Sequence, residues 1–199
     1  MQNSMFNRMK DSIRKDLKDK RAELSKNEVF ENSIRIKNKL FKMKEFERSS
    51  CIMFYVSYDN EVYTHDMIKE YLKNKKKVIV PVSDKKNRCL ILSELNSWND
   101  LKLGSYGILE PRADKIKKFP LEQIGLIIIP GVGYDEQGRR IGHGKGYYDN
   151  LLRNSKNALH IGLAFEIQIV KEIPVESHDI SVDKIITEKR VIDCKKDDY

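Results

Sequence analysis

The chain has 199 residues, 40% of them hydrophobic and 34% charged, with a formal net charge of +8. That length fits one domain and supports a core without disulfides or a structural metal, and the balance excludes long disorder. The charge leaves two partner classes open: a nucleic acid met by a basic surface, or a small polyanion such as a nucleotide or a polyglutamylated cofactor. The basic residues are interleaved with acidic ones, and the one basic run, Lys75 to Lys77, reads as a solvated helix end. Cys51, Cys89 and Cys194 have no C-x-x-C spacing; Cys51 and Cys89 sit in apolar runs and read as buried small hydrophobes, which suits a reducing compartment. The start, MQNSMFNRMKDSIRK, has no apolar segment of signal-peptide type. The longest apolar run, Leu126 to Ile129, stops at Pro130, too short to span a bilayer, so a cytoplasmic protein is expected.

The first forty-odd residues read as a helical pair. Met9, Ile13, Leu17 and Leu24 share one face of the first helix. Ser25-Lys-Asn-Glu28 is a capping-box pattern that starts a second helix, with the stripe Val29, Phe30, Ser33, Ile34, Ile36, Leu40 and Phe41. The period then changes. Cys51 to Val56 reads as a buried strand, Ser57 to Asn60 as a turn, Thr64 to Asn74 as a helix, and Val78 to Val82 and Cys89 to Leu92 as strands. Leu126 to Ile129 is the strongest strand. A glycine-rich loop follows it, then a helix over Tyr147 to Asn154, a strand over Leu159 to Ala164, a short helix over Ile167 to Glu172 and a last strand over Lys184 to Ile192. The alternation predicts an α/β fold: a single three-layer domain over residues 1–193, a mainly parallel sheet flanked by helices. The charged tail from Cys194 to Tyr199 is expected to fray.

The chemistry concentrates between Pro130 and Asp149, a segment holding six of the ten glycines. Glycines let backbone N–H groups approach a ligand and form an anion-binding concavity, and a helix start behind them adds partial positive charge. Arg139, Arg140, His143 and Lys145 add side-chain donors. The loop follows a strand's carboxyl end, where ligands of such sheets bind. It is neither a Walker A loop nor G-x-G-x-x-G, since Lys145 precedes Gly146. Chemistry alone leaves open a phosphate site or a surface loop whose glycines serve turns. Tyr147 and Tyr148 divide between packing and stacking on a flat ligand. Asp149 is either a Mg²⁺ ligand or an ordinary first-turn acid that complements the helix dipole.

This stretch resembles the signature of the 5-formyltetrahydrofolate cyclo-ligases: strand, Pro-Gly, aromatic-Asp, then Gly-x-Arg-[aliphatic]-Gly-x-Gly-x-Gly-Tyr-Tyr-Asp, present from Ile129 to Asp149. Four further elements follow the family's order: Lys10-Asp-Ser-Ile-Arg14, Val56-Ser-Tyr-Asp-Asn-Glu61, Gly104-Ser-Tyr-Gly-Ile-Leu-Glu-Pro111 and Pro174-Val-Glu-Ser-His-Asp-Ile-Ser-Val-Asp183. The departures are His143, where arginine or tyrosine is common, and Gly133, where alanine is common.

The resemblance implies conversion of 5-formyltetrahydrofolate to 5,10-methenyltetrahydrofolate with ATP and Mg²⁺, through phosphorylation of the formyl oxygen and attack by N10. Carried over by position, it implies ATP contacts from Lys10, Arg14, Arg140, Ile141, Gly142, His143, Gly144, Lys145, Gly146, Tyr147 and Tyr148. Folate contacts would come from Val56, Glu61 and His143 to Tyr147. Lys145, with His143 and Arg140, is the catalytic candidate, and Asp149 and Asp183 would hold Mg²⁺. Spacing alone makes Lys10 and Arg14 an exposed basic helix face, Val56 core, Glu61 a surface or capping carboxylate and Asp183 a turn residue. A monomer acting on a possibly polyglutamylated small molecule is expected. The alternatives are a basic nucleic-acid-binding domain, against which no helix-turn-helix, RNP or zinc pattern is found, and a kinase of another small metabolite.

Overall fold

A computed structural model describes residues 2–104, 107–176 and 179–194. The tail from 195 onward, positions 105–106 of the Gly104 element and positions 177–178 of the Pro174 element lie outside the described residues.

Among the described residues five α-helices and twelve strands follow in chain order: α1 Gln2–Ala22, α2 Lys26–Phe41, α3 Lys44–Arg48, β1 Cys51–Met53, α4 His65–Lys73, β2 Lys77–Asp84, β3 Cys89–Leu95, β4 Leu101–Leu103, β5 Leu109–Pro111, β6 Leu126–Ile129, β7 Gly133–Asp135, β8 Arg140–Ile141, α5 Tyr147–Asn154, β9 Leu159–Leu163, β10 Ile169–Val170, β11 Lys184–Ile186 and β12 Val191–Asp193. The main sheet has the order β12-β11-β9-β6-β1-β2-β3. Its five central strands are parallel and the strand at each edge is antiparallel. This is the expected mainly parallel α/β sheet. Because both faces are covered, the central strands are mostly apolar, β1 and β6 without a break, and their alternate residues feed opposite layers. Leu126 and Ile128 of β6 face a core with Ile36 and Leu40 of α2, Phe46 of α3 and Met67 and Ile68 of α4. Ile127 and Ile129 face a second core with Leu151 and Leu152 of α5.

The helix at α2 begins as expected, with a complete Ser25–Glu28 capping box. Its buried stripe is narrower than the sequence suggests: Ser33, Ile36 and Leu40 are buried, while Phe30 and Ile34 are exposed. Met9 of α1 is also exposed. The two N-terminal helices serve different sheets. The α1 residue Leu17 packs on Val132, Ile141 and Ile173, beside the small sheet β10-β7-β8. A Cβ at Gly133 would collide with Leu17, which explains glycine at this position.

Three elements and one burial are corrected. The strand from Cys51 ends at Met53, and Phe54 to Val56 run on, still buried, past the end of the sheet. The short helix expected over 167–172 is a single 3-10 turn, Glu166–Gln168, followed by β10. Here Gln168 turns inward, donating to Gly131 O and Val132 O at 3.0 and 2.9 Å and accepting from Phe165 N, so tertiary bonding overrides helix periodicity. The last strand is a hairpin of β11 and β12, its turn closed by Thr187 Oγ1 accepting from Lys189 N and Arg190 N. Cys89, beside the β2–β3 turn, is only half-buried. Among the described residues no helix is long and apolar enough to cross a membrane.

Candidate active site

From β1 the chain moves one way across the sheet, to β2 and β3; from β6 it moves the other way, to β9, β11 and β12. The boundary between β1 and β6 is therefore a topological switch point, where the loops leaving two adjacent parallel strands diverge and open a crevice. A cavity of about 350 Å³ lies there. Its walls include Val56 and Glu61 from the segment after β1, and Pro130, Arg140, Gly142 to Tyr148 and Asp149 from the segment after β6.

The loop wall is built on buried scaffolding. The Tyr134 ring is fully buried and its hydroxyl donates to Ile129 O at 2.9 Å. It fits only because Gly131 and Gly162 flank it: a Cβ on either would lie 2.5 or 2.6 Å from a ring carbon. Asp135 is fully buried and accepts N–H bonds from Gln137, Arg139 and Ile173. Burial pushes its carboxyl above the ordinary value, against the pull of those N–H groups and the Arg139 charge. Thus Tyr134 and Asp135 of the signature brace the loop. Beyond them, Gly144 and Gly146 take φ of 84° and 70°, and Gly146 is the N-cap of α5, so the loop turns its backbone toward the helix start.

On this frame the Arg140 side chain is only 4% exposed. Its Nη2 donates to Asp149 Oδ1 at 2.5 Å and its Nη1 to Pro130 O at 3.3 Å. Its Nε is buried without a partner among the described residues. Lys145, on the exposed part of the loop, also lines the cavity. Across from it, Glu61 is buried and accepts Tyr58 N at 3.3 Å. His143 spans the two walls, its Nε2 3.5 Å from Glu61 Oε1 and 3.5 Å from the Tyr58 hydroxyl. Desolvation, with the Glu61 charge behind it, raises the Tyr148 hydroxyl above its ordinary value, so that phenol stays neutral.

The expected site residues divide. Val56, Glu61, Arg140, Gly142, His143, Gly144, Lys145, Gly146, Tyr147, Tyr148 and Asp149 meet on one cavity. Ile141 is buried behind them against Leu17. Arg14 supports the loop from α1, its Nε donating to Gly142 O at 2.8 Å. Lys10 is off the cavity wall and mostly buried, not on an exposed face: its Nζ meets Asp179 at 2.5 Å and Glu176 at 3.1 Å. Burial works against that ammonium, but the two carboxylates outweigh it and hold its pKa above the ordinary value.

Asp183 also lies off the cavity wall; its Oδ2 accepts His160 N at 2.7 Å at the amino end of β11. The structure does not bring it beside Asp149. Among the described residues no group of three or more His, Cys, Asp or Glu side chains forms a metal-ligand set. Of the carboxylates on the wall, Asp149 is the one on the loop beside Arg140 and Lys145, and a single carboxylate there fits Mg²⁺, which takes one or two carboxylates and fills its shell with phosphate oxygens and water. The sequence reading missed Lys18, Tyr55, Tyr58, Pro81, Ser83, Leu90, Ile108 and Glu110, all on the wall. Only Tyr58, Ile108 and Glu110 had a signal, since they fall inside quoted motif elements.

The profile described as 5-formyltetrahydrofolate cyclo-ligase family matches residues 7–188. The chain belongs to that family. It is 30% identical over 192 residues to the mouse 5-formyltetrahydrofolate cyclo-ligase, covering 92% of this chain and 95% of that one. The solved structure of 5,10-methenyltetrahydrofolate synthetase from Aquifex aeolicus superposes with a TM-score of 0.84 at 32% identity, covering 96% of this chain and 95% of that one. The Mycoplasma pneumoniae 5,10-methenyltetrahydrofolate synthetase superposes with a TM-score of 0.73 at 26% identity, covering 90% and 98%. The chain is accordingly an enzyme, a ligase of folate metabolism, with the fold of these cyclo-ligases.

Proposed function

We propose that this enzyme closes 5-formyltetrahydrofolate to 5,10-methenyltetrahydrofolate at the expense of ATP, in the cavity at the switch point. The observation that carries the proposal is the pairing of walls: a glycine-rich cationic loop faces a buried carboxylate and apolar surface across one cavity. The first wall suits a triphosphate and the second a flat ring with hydrogen-bond donors. Family membership supplies the reaction. The formyl oxygen attacks the γ-phosphorus, forming an O–P bond as ADP leaves. N10 then attacks the activated formyl carbon, loses its proton, and the C–O bond breaks to release phosphate.

Within that scheme Lys145 neutralises charge on the transferring phosphoryl group, as a point charge beside backbone N–H groups. The Nε and forked N–H groups of Arg140 hold phosphate oxygens. Arg14 keeps the loop closed from behind, and Val56, Glu61 and Tyr147 orient the folate. His143 stands between the two substrates. Asp149 would hold Mg²⁺, which when bound supplies charge neutralisation on the nucleotide phosphates. Asp183, held by His160 N off the cavity wall, enters as a metal ligand only if it moves toward that wall. The test is direct: with 5-formyltetrahydrofolate, the methenyl absorbance band should grow only when ATP and Mg²⁺ are both present. A band without ATP, or none with folded protein, would overturn the proposal.

A further inference from the structure

One motif of this chain has no part in the scheme above: Gly104 to Pro111. Its β5 pairs antiparallel with β4, which immediately precedes the motif, and Gly104 N donates to Ile108 O at 2.8 Å to extend that hairpin. The hairpin lies over the carboxyl end of β2, where Ser83 N donates to Glu110 Oε1 at 3.0 Å. Glu110 is only 8% exposed and lines the cavity beside Pro81, Leu90 and Ile108. Its carboxyl group lies directly over Gly104: a Cβ there would come within 2.5 Å of Oε2 and 3.0 Å of Cδ. The glycine is thus the hollow that seats the carboxylate, and the Ser83 N–H fixes one of its oxygens.

This gives the cavity two chemical ends. Arg140 and Lys145 stand at one, with Glu61 and Glu110 on other stretches of the wall. Two buried carboxylates on the wall repel a phosphate chain and favour a ligand that brings N–H donors. We propose that Glu110 is a substrate-binding residue that sets specificity, its carboxylate accepting hydrogen bonds from the amino-substituted pyrimidine edge of the pterin ring. This rests on the folate reading of the cavity. The 2-amino-4-oxopyrimidine edge places an amino group and a ring N–H side by side, and a carboxylate accepts both at once. The Watson–Crick edge of adenine places its amino group beside a ring acceptor, so the same carboxylate meets one donor and one repulsive lone pair. Pro81, Leu90 and Ile108 supply flat apolar surface for the ring.

The test is equilibrium binding by calorimetry to wild type, Glu110→Gln and Gly104→Ala. The probes are 5-formyltetrahydrofolate without nucleotide, its analogue with hydrogen in place of the 2-amino group, and Mg-ATP without folate. Glutamine keeps volume and the acceptor for Ser83 N–H, so melting should be unchanged. Folate binding should weaken roughly 10- to 100-fold, as for loss of a hydrogen bond to a charged group, while Mg-ATP binding stays within about twofold. Wild type should lose affinity for the analogue, and Glu110→Gln should no longer distinguish it from the parent. Gly104→Ala, which displaces the carboxylate, should show the same selective loss. The analogue arm on wild type needs no variant to fold. Unchanged folate affinity in Glu110→Gln, a loss confined to Mg-ATP, or a wild type indifferent to the 2-amino group would each overturn the inference and leave the cyclo-ligase reading standing. A wild type that binds no folate would overturn both.

Discussion

The two ends of the cavity are built in opposite ways. The loop end comes from one continuous stretch, Pro130 to Asp149, and its working part from His143 to Gly146 is exposed. The ring end is assembled from single residues of separate segments, Val56, Pro81, Leu90, Ile108 and Glu110, with Val56 and Glu110 buried. The first end carries its chemistry in backbone N–H groups, the buried Arg140 and the exposed Lys145, whose charge water screens until a ligand excludes it. The second carries shape and fixed acceptors that stand ready before a ligand arrives. The loop end is therefore suited to charge that develops during reaction, and the ring end to selection of the ground state.

The sharpest way to break that division is Lys145→Ala. If the loop end serves the transition state, kcat should fall by about 100- to 1000-fold, as when an oxyanion-hole donor is removed, and folate affinity should weaken much less. Intact kcat with weakened folate binding would place Lys145 at the wrong end. The next effect is structural. Gly162 on β9 leaves room for the Tyr134 ring that braces the loop. Gly162→Ala should cost about 1–3 kcal/mol by overpacking, read as a lower melting temperature. No loss of stability would mean that the ring yields easily and the loop is not held by it.

A smaller effect separates two aspartates. Asp149→Asn should raise the Mg²⁺ needed for half-maximal rate by roughly tenfold, because Mg²⁺ prefers charged oxygen ligands. Asp183→Asn should shift it less, since that carboxylate is engaged by His160 N at 2.7 Å and lies off the cavity wall. The reverse order, measured by Mg²⁺ titration at saturating ATP with melting in parallel, would show that Asp183 moves onto the metal when nucleotide binds.

The difference between the ends also explains what was legible beforehand. The parallel sheet followed from Ile52, Ile79, Ile127 and their neighbours, because two-sided burial writes itself as an unbroken apolar run. The loop was legible because its glycines and cations are adjacent in the chain. Pro81 and Leu90 were not, because each is an ordinary strand residue locally and becomes cavity wall only through the β2–β3 pairing that sets them side by side. Glu110 lay in a visible motif, yet its role needs the Ser83 N–H and the hollow at Gly104, neither of which spacing reveals. Gln168 defeated the helix reading because two of its three partners, Gly131 O and Val132 O, lie in a distant chain segment that periodicity cannot see.

The smallest expected effect concerns two cations four residues apart on α1. Both read alike in the sequence, and the structure separates them. Arg14 touches the loop through Gly142 O, so Arg14→Ala should loosen the loop end and raise the Kd for Mg-ATP roughly threefold, the range of a partly exposed charge contact. Lys10 spends its charge on Asp179 and Glu176, so Lys10→Ala should leave Mg-ATP affinity nearer wild type and show instead in melting. The pH dependence of that melting difference is a further check. The folded state holds the Lys10 ammonium above its ordinary value of 10.5, so its stabilisation is fully present below that value and is lost as pH rises through the folded one. The gap between wild type and Lys10→Ala should therefore stay flat across about pH 6–9, well below the ordinary lysine range, and close only above it. A loss of Mg-ATP affinity in Lys10→Ala larger than in Arg14→Ala would mean that the ammonium leaves its carboxylates for the triphosphate, joining α1 to the loop end along two contacts instead of one.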